Sequence, residues 1–364
     1  MSKAVVTAGN TKVPETDAGY ANARLRGMRS HLLPREFYER LIDTPDVTQA
    51  VKDLIDTPYG QDLEGEVVHG FTADVIDDAL KQNMIRAYQK VLSFVHPQAR
   101  KLLSTLLGRW DVFNIKTILR GAHNHVALDE IKTSFFPAGY LGEDELEALA
   151  RFDDVRAVID TMAMWGLVYA APLRRAYPEY AKDNDLAPLE LALDRQYAEW
   201  AASRLVGEAI DVEVSRRILG MQIDTANLVM VFRLLKADVE GGKAERYFLS
   251  GGRSIRENLY KELSQLSDVD EVLDRLKGTA YAEALDEAAL RYLEMASIPV
   301  FERALEELLM RTALVASIRD PHGVGVAIAY LYGKQNEITN LRIIVKGKTV
   351  GMPADRVREE LILV

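Results

Sequence analysis

Apolar residues recur with helical spacing along almost the whole chain. In the segment TPDVTQAVKDLIDT (residues 44–57), Thr44 precedes Pro45, which predicts a helix capped by Thr44 with Pro45 in its first turn. Four apolar residues then fall on one helical face, namely Val47, Ala50, Val51 and Leu54. Alternating strand patterns are few, and Gly and Pro separate segments of ordinary helix length. The pattern predicts an all-α protein.

This segment is repeated. Residues 153–162 read DDVRAVIDTM and residues 267–276 read SDVDEVLDRL, with apolar residues at corresponding positions. The equivalent residues Val47, Val155 and Val269 are separated by 108 and 114 residues. We call these three segments the DV helices. A spacing of this kind is the signature of an internally repeated architecture.

A second helical segment recurs at nearly the same spacing, as DVFNIKTILRG (111–121), DTANLVMVFRLLK (224–236) and EITNLRIIVKGK (337–348). We call these the anchor helices. Each begins with an acid, has an Asn three residues later and a base six residues after that. The matching residues are Asp111, Asn114 and Arg120, then Asp224, Asn227 and Arg233, then Glu337, Asn340 and Lys346. Both gaps between the acids are 113 residues, so the two elements together indicate a repeated unit.

The anchor pattern suggests a structural role for the Asn and two interpretations of the base. The Asn lies at the edge of the apolar face and needs hydrogen-bond partners there, so we expect the repeats to share one packing solution. Gly108, Gly220 and Gly333 precede the acids, and Gly121 and Gly347 follow two of the segments. We therefore expect each acid in the first turn of its helix, where the helix dipole favours it. The base lies opposite the apolar face. Its favourable interaction with the helix dipole is one explanation. Contact with a partner is the more specific hypothesis, and it rests on the three-fold repetition.

The N-terminal segment DAGYANARLRGMRSHLL (17–33) is a weaker copy, in which Arg26 matches Arg120 and Tyr20 takes the Asn position. Turns of the form HLLP, PAGYL and SGGRSI follow successive anchors. The repeats therefore predict three similar helical subdomains with a leader and a closing helix. The expected bounds are a flexible leader at 1–14, subdomains at 15–110, 111–223 and 224–336, and a closing anchor helix and tail at 337–364.

The composition argues against several classes of function. The net charge is −10, which argues against general affinity for nucleic acid or for an anionic lipid surface. The chain has no cysteine, which excludes disulfides and cysteine-based metal sites. The N-terminal residues lack the apolar core of a signal peptide, and the apolar segment MAMWGLVYAAPL (162–173) is too short to span a membrane. We expect that segment to be a buried helix and the chain to have no membrane span.

Signals for catalysis are weak. The chain lacks the Walker phosphate-binding motif. The HNH sequence places His123 and His125 two residues apart, but no third metal ligand lies nearby. We therefore expect no catalytic, cofactor-binding or metal-binding residues.

Several segments together resemble the C subunit of the archaeal and bacterial V/A-type ATPases, which belongs to the same family as the d subunit of eukaryotic V-ATPases. They are GYANARLRGMRSHLL, FYERLID and DLIDTPYGQDL, then RWDVFNIKTILRG and FFPAGYL, then HGVGVAIAYLYGKQNEITNLRIIVKGKTVGMPADRVREEL. The resemblance covers about 15–364 in the same order. The second anchor departs from it with Leu234 in place of a glycine, and the last has Lys346 in place of an arginine.

The resemblance implies a funnel-like, pseudo-three-fold arrangement of the three subdomains and a mechanical role. Proteins of this family are non-catalytic adaptors of the central stalk, lying on the cytoplasmic side of the membrane. The implied partners are the proteolipid ring and the D and F subunits of the central shaft, and the membrane component of the stator is a further candidate. We hypothesise that Arg26, Arg120, Arg233 and Lys346 line the surface that contacts the shaft. Two alternatives are a helical-repeat scaffold unrelated to the ATPase and a metal-dependent helical enzyme using His123 and His125.

Overall fold

The computed structural model describes residues 18–63, 72–237, 241–295 and 297–363. Within these ranges the chain forms helices and turns, and no strand is present. The prediction of an all-α protein is confirmed. The predicted leader at 1–14 lies outside the described residues.

The described residues form short and medium helices together with three long ones. In chain order they are α1 (Ala18–Arg29), α2 (Arg35–Asp43), α3 (Val47–Ile55), α4 (Gly60–Leu63), α5 (Ala73–Phe94), α6 (Pro97–Leu107), α7 (Arg109–Asn124), α8 (Leu128–Thr133), α9 (Glu143–Ala150), α10 (Val155–Met164), α11 (Ala170–Asp183), α12 (Ala187–Arg204), α13 (Ile210–Lys236), α14 (Gly241–Ala244), α15 (Glu257–Ser264), α16 (Val269–Leu276), α17 (Ala282–Met295), α18 (Pro299–Leu314), α19 (Ala316–Arg319), α20 (Val324–Thr349) and α21 (Ala354–Glu360). A 3-10 turn, Glu245–Tyr247, follows α14.

The chain divides into two compact units. The terminal unit combines residues 18–100 with 313–363, and the central unit comprises 101–312. In the terminal unit, α20 packs against α1, α5 and α19, and its first eleven residues are all buried. In the central unit, α11 packs along α12, and α7 contacts α9, α10 and α12. The five-part division inferred from the repeats is finer than these two units and stays a prediction.

The DV helices are α3, α10 and α16, and each is capped by the aspartate that precedes its valine. Asp46 accepts a hydrogen bond from the backbone N–H of Gln49 at 2.8 Å, and Asp154 accepts one from Ala157 at 2.9 Å. Asp268 caps α16 through the backbone N–H of Asp270. The predicted Thr44 cap is wrong, because α3 begins two residues later than expected and the Asp46 carboxylate takes the capping position. The predicted apolar faces are confirmed, since Val51, Val158 and Val272 are fully buried.

The anchor helices are α7, the second half of α13 and the second half of α20. Only Asp111 lies in a first turn, so the prediction that all three acids begin their helices is wrong. Gly220 and Gly333 lie inside continuous helices and serve close packing. A methyl group at Gly220 would press on Arg253, and one at Gly333 would press on Leu32. With no proline or capping side chain at these points, the helices continue through them.

The apolar segment 162–173 is not one buried helix as expected. It is divided between the end of α10 and the start of α11, with a turn at 165–169 that contains Gly166 at φ +71°. Met164 is 77% exposed. In the described part of the chain, α13 alone is long and apolar enough to cross a membrane by length and composition. Much of its apolar stretch is buried inside the protein, as is typical of a core helix.

Candidate functional site

Each anchor asparagine is buried and binds both backbone groups of one residue. Asn114 donates to the carbonyl oxygen of Phe136 and accepts from its N–H, both at 2.8 Å. Asn227 makes the same two bonds to Leu249, and Asn340 makes them to Ile362. In all three cases the bound residue lies 22 positions after the asparagine. The expectation that the repeats share one packing solution holds for these side chains, although they are fully buried and not at the edge of the core.

Each anchor acid binds a turn through backbone N–H groups. Asp111 accepts from Tyr140 and Leu141, both at 2.9 Å. The Asp224 carboxylate accepts from three successive residues, Arg253, Ser254 and Ile255, at 2.6–3.1 Å. These turns are the PAGYL and SGGRSI segments. The acids therefore act as acceptors that satisfy otherwise unpaired backbone donors. Of these two, Asp111 also lies in the first turn of its helix, where the dipole favours an acid, whereas Asp224 lies inside α13.

The third anchor acid, Glu337, connects α20 to the N-terminal part of the terminal unit. Glu337 accepts a hydrogen bond from the backbone N–H of Leu33, in the HLLP turn near the N-terminus. It also accepts from the Tyr59 hydroxyl at 2.6 Å and from Lys334 at 2.9 Å. Lys334 in turn donates to the Tyr59 oxygen at 2.8 Å. The last anchor therefore binds the HLLP turn, and the hydrogen bonds of Glu337 to Leu33 and Tyr59 join the two sequence segments of this unit. The ion pair with Lys334 lies within α20 itself.

Two tyrosines of these clusters are not identified by the anchor pattern. Tyr59 donates to Glu337, and Tyr281 donates to Asp224 at 2.8 Å. Each lies two residues after a threonine whose hydroxyl accepts the tyrosine N–H, in the sequences TPY and TAY. Both tyrosines stand 12 residues after the first valine of a DV helix. This regular spacing is visible in the sequence and could have identified both tyrosines. Through them, each of these two DV helices is linked to an anchor acid.

Burial dominates the electrostatics of these carboxyl groups. It raises the pKa of Asp111 to about 6, although the hydrogen bonds from Leu141 and Tyr140 act in the opposite direction. Burial also raises the pKa of Asp224, again opposed by its backbone donors and by Tyr281. Burial lowers the pKa of Lys334, and the Glu337 charge partly offsets this. These groups are structural acceptors and donors enclosed in the protein, without the exposure that exchange with a substrate requires.

Two of the four predicted basic residues pair with a neighbouring helix of the central unit. Arg120 forms two hydrogen bonds to the Glu190 carboxylate at 2.6 and 2.7 Å. Arg233 forms the same fork with Glu302 at 2.6 and 2.8 Å. The hydrogen bond to the carboxylate raises the pKa of each arginine. The glutamates, 112 residues apart, were not identified from the sequence.

The remaining two basic residues differ from this pattern. Arg26 donates to the carbonyl oxygen of Pro321 at 2.8 Å, and Lys346 is exposed on α20. Tyr20, which takes the Asn position in the weaker N-terminal copy, is 57% exposed. The structure therefore places a buried polar bridge on three anchors and not on α1. Contact between any of the four bases and a partner stays a prediction.

The histidine pair lies at the end of α7. His123 Nδ1 is 3.2 Å from the Tyr180 hydroxyl, and His125 ends the helix in a left-handed conformation at φ 53°. Among the residues that the structure describes, no group of three or more His, Cys, Asp or Glu side chains is placed to hold a metal ion.

Comparison with known proteins gives one consistent family. Residues 21–360 match the model of the ATP synthase (C/AC39) subunit family. The C subunit of the A-type ATP synthase from Methanocaldococcus jannaschii is 29% identical over 94% of this chain and 86% of its own length. The protein of the same name from Methanobrevibacter smithii is 30% identical over 94% of this chain and 87% of its own. That from Halorubrum lacusprofundi is 28% identical over 96% of this chain and 99% of its own.

Proposed function

The chain belongs to the ATP synthase (C/AC39) subunit family, and we propose that it is the non-catalytic rotor adaptor of a V/A-type rotary ATPase. In this role it joins the proteolipid ring of the membrane sector to the central shaft of the soluble head, on the cytoplasmic side. It transmits rotation that is coupled to ion transport and to ATP synthesis or hydrolysis. The observation that carries the proposal is the match over nearly the whole chain, with relatives of similar length that bear the name of this component.

The anchor constellations support a mechanical role. An adaptor that transmits torque must resist shear between its helices, and buried two-point hydrogen bonds resist displacement in more than one direction. Three anchors carry such a bridge, and each also binds a turn through a buried acid. We propose on this basis that three similar subdomains exist and that they are arranged in a funnel with pseudo-three-fold symmetry.

The basic residues supply the proposed contact with the shaft. The side chains of Arg120 and Arg233 are 57% and 59% exposed even in their ion pairs. A guanidinium whose fork is held by one carboxylate still presents other N–H donors to a partner. We propose that these two, with Arg26 and Lys346, contact the D and F subunits of the central shaft.

Co-purification tests the function. The tagged full chain, isolated from membranes in mild detergent, should bring down the proteolipid ring and the shaft proteins in one complex. A matched preparation in which Asn114 and Asn227 are both replaced by alanine should recover less complex, because the helices that carry the contacts are loosened. Isolation of the intact wild-type chain free of ring and shaft, from cells that contain both, would contradict the proposal.

A further inference from the structure

Two pairs of helices in the central unit enclose matching grooves. The α11–α12 groove has a volume of about 470 Å³ and the α17–α18 groove about 370 Å³. Ten residues that line the first have counterparts lining the second, each 112 positions later. The small residues are kept, since Ala176 and Ala192 correspond to Ala288 and Ala304. The two grooves are therefore equivalent surfaces of the repeat.

The charges of the two grooves are reversed at equivalent positions. The α11–α12 groove carries Arg175, Glu179, Arg195 and Glu199. The corresponding residues of the α17–α18 groove are Glu287, Arg291, Glu307 and Arg311. A side chain that is attracted into one groove is therefore repelled from the same place in the other.

The α11–α12 groove already holds a side chain of this protein. Arg246, from the 3-10 turn after α14, lines the groove and pairs with Glu179 at 3.2 Å. Arg195, on the facing helix, donates to the backbone carbonyl oxygen of Arg246. At the position of Glu179, the α11–α12 groove therefore accepts a basic side chain.

The α17–α18 groove is lined by these two helices and Ala280, with no third element among the described residues. At the position of Glu179 it has Arg291, and Arg303 lies on the facing helix. Burial and then the charge of Arg291 lower the pKa of Arg303, while Glu307 and Glu306 offset this in part. Glu283, Glu287 and Glu307 also line this groove, but a carboxylate placed between the two facing arginines would be favoured by both.

Exposed leucines also distinguish α17 from its counterpart α11. Leu290, next to Arg291 in the sequence, is 68% exposed, and Leu293 is 76% exposed on the same helix. Their counterparts on α11 are Pro178 and Ala181. Neither leucine lines the groove, but Leu290 directly precedes a residue that does, so a partner that docks in the groove can also cover it.

We propose that the α17–α18 groove is a docking site for a helical segment of a partner protein that inserts an Asp or Glu carboxylate between Arg291 and Arg303. The partner's apolar residues cover Leu290, and the alanines of the groove allow its backbone to approach closely. In the α11–α12 groove, Glu179 takes the position of Arg291 and the Arg246 side chain already lies beside it, which disfavours the same segment there. This surface is additional to the basic anchor residues, and it does not rest on which complex the chain serves.

Site-specific photocrosslinking in the cells that express the full chain tests the proposal. The photoreactive amino acid p-benzoylphenylalanine replaces Ala304 in the α17–α18 groove or, as the matched control, Ala192 in the α11–α12 groove. We expect an adduct from position 304 to one segment of another protein, with an Asp or Glu within a helical turn of the crosslink. Position 192 should give no adduct to that protein.

Charge variants make the result specific. Arg291→Glu should lower the adduct yield from position 304 by about tenfold or more, because it places like charges together. Changing the partner's acid to lysine should restore the yield in that variant. Arg291→Gln, which leaves the surface polar, should give an intermediate yield and serves where the Glu variant folds poorly.

An absent adduct, an adduct only to a second copy of this chain, or a yield unchanged by Arg291→Glu would overturn the proposal. If the chain still co-purifies with the proteolipid ring and the shaft in that case, the docking inference fails while the proposed function stands.

Discussion

The side-chain amide of Asn227 satisfies both backbone groups of Leu249, donating to its carbonyl oxygen at 2.9 Å and accepting from its N–H at 2.9 Å. The backbone N–H and carbonyl of Leu249 therefore need no partner in a β-strand. The segment cannot slide along the helix without breaking both bonds. The same geometry recurs at Asn114 and Asn340, so all three anchors hold a distant backbone segment in one way.

Replacing Asn227 by alanine should therefore be costly. The change leaves the buried N–H and carbonyl of Leu249 without partners, and each unsatisfied group costs about 1–3 kcal/mol. We expect the free energy of unfolding, measured by urea denaturation, to decrease by roughly 2–5 kcal/mol. The control is Asn124→Ala, which removes an exposed side-chain hydrogen bond to Arg120 at the end of α7 and should change stability little. Equal effects of the two variants would show that the bridge does not contribute as inferred.

Gly139 should not tolerate a side chain. A methyl group there would overlap the Asp111 carboxylate, which binds the N–H groups of the next two residues. Gly139→Ala should displace the turn or the acid and lower the thermal unfolding temperature. Gly27 has open space around its Cα within α1, so Gly27→Ala should be neutral or raise stability by about 0.5–1 kcal/mol. A Gly139→Ala protein as stable as wild type would mean that the turn adapts freely.

Local periodicity predicted much of this fold because burial follows it closely. The valines and leucines of the DV helices are in the core, except for the half-buried Val47, and the asparagine repeat is visible in the sequence alone. The all-α class and the repeat followed from the same pattern.

The partners of these residues could not be predicted, because they depend on contacts between distant parts of the chain. Nothing local to Glu337 indicates that it binds Leu33, which lies 304 positions earlier. Glycine often precedes or follows a helix, so the sequence alone predicts helix ends at the anchor glycines. Tertiary packing decided otherwise: Gly333 gives room to Leu32.

Protonation of Asp111 should make stability depend on pH. Because burial raises its pKa to about 6, the folded protein holds this proton more tightly than the unfolded chain does. The contribution of Asp111 to stability is most favourable below about pH 4 and decreases as the pH rises towards 6. Relative to Asp111→Asn, wild type should lose roughly 3 kcal/mol over this range, measured by urea denaturation at each pH. A difference between the two proteins that does not change with pH would contradict this assignment.

Breaking the buried Lys334–Glu337 pair should destabilise the terminal unit. Both side chains are almost fully buried, so among the described residues Lys334→Met leaves the carboxylate with only the Tyr59 hydroxyl and the Leu33 N–H. Removing one member of a buried pair costs about 3–5 kcal/mol. The double variant Lys334→Met, Glu337→Gln removes the unpaired charge and should recover part of that loss. Urea denaturation of both variants would decide the matter, and a double variant less stable than the single one would refute the argument.

Exchanging the charges of Arg120 and Glu190 separates an internal role from a partner role. Arg120→Glu alone places two carboxylates together and should lower stability by about 1 kcal/mol or less, because the pair is exposed. Arg120→Glu combined with Glu190→Arg restores an ion pair and should restore that stability. If Arg120 also contacts the shaft, the exchanged protein will fold normally and still bind the purified shaft at least several-fold more weakly. The matched exchange of Arg233 and Glu302 provides an independent measurement at an equivalent pair. Binding at wild-type strength by both exchanged proteins would confine these arginines to internal pairing, and Arg26 and Lys346 would remain as the candidates for contact with the shaft.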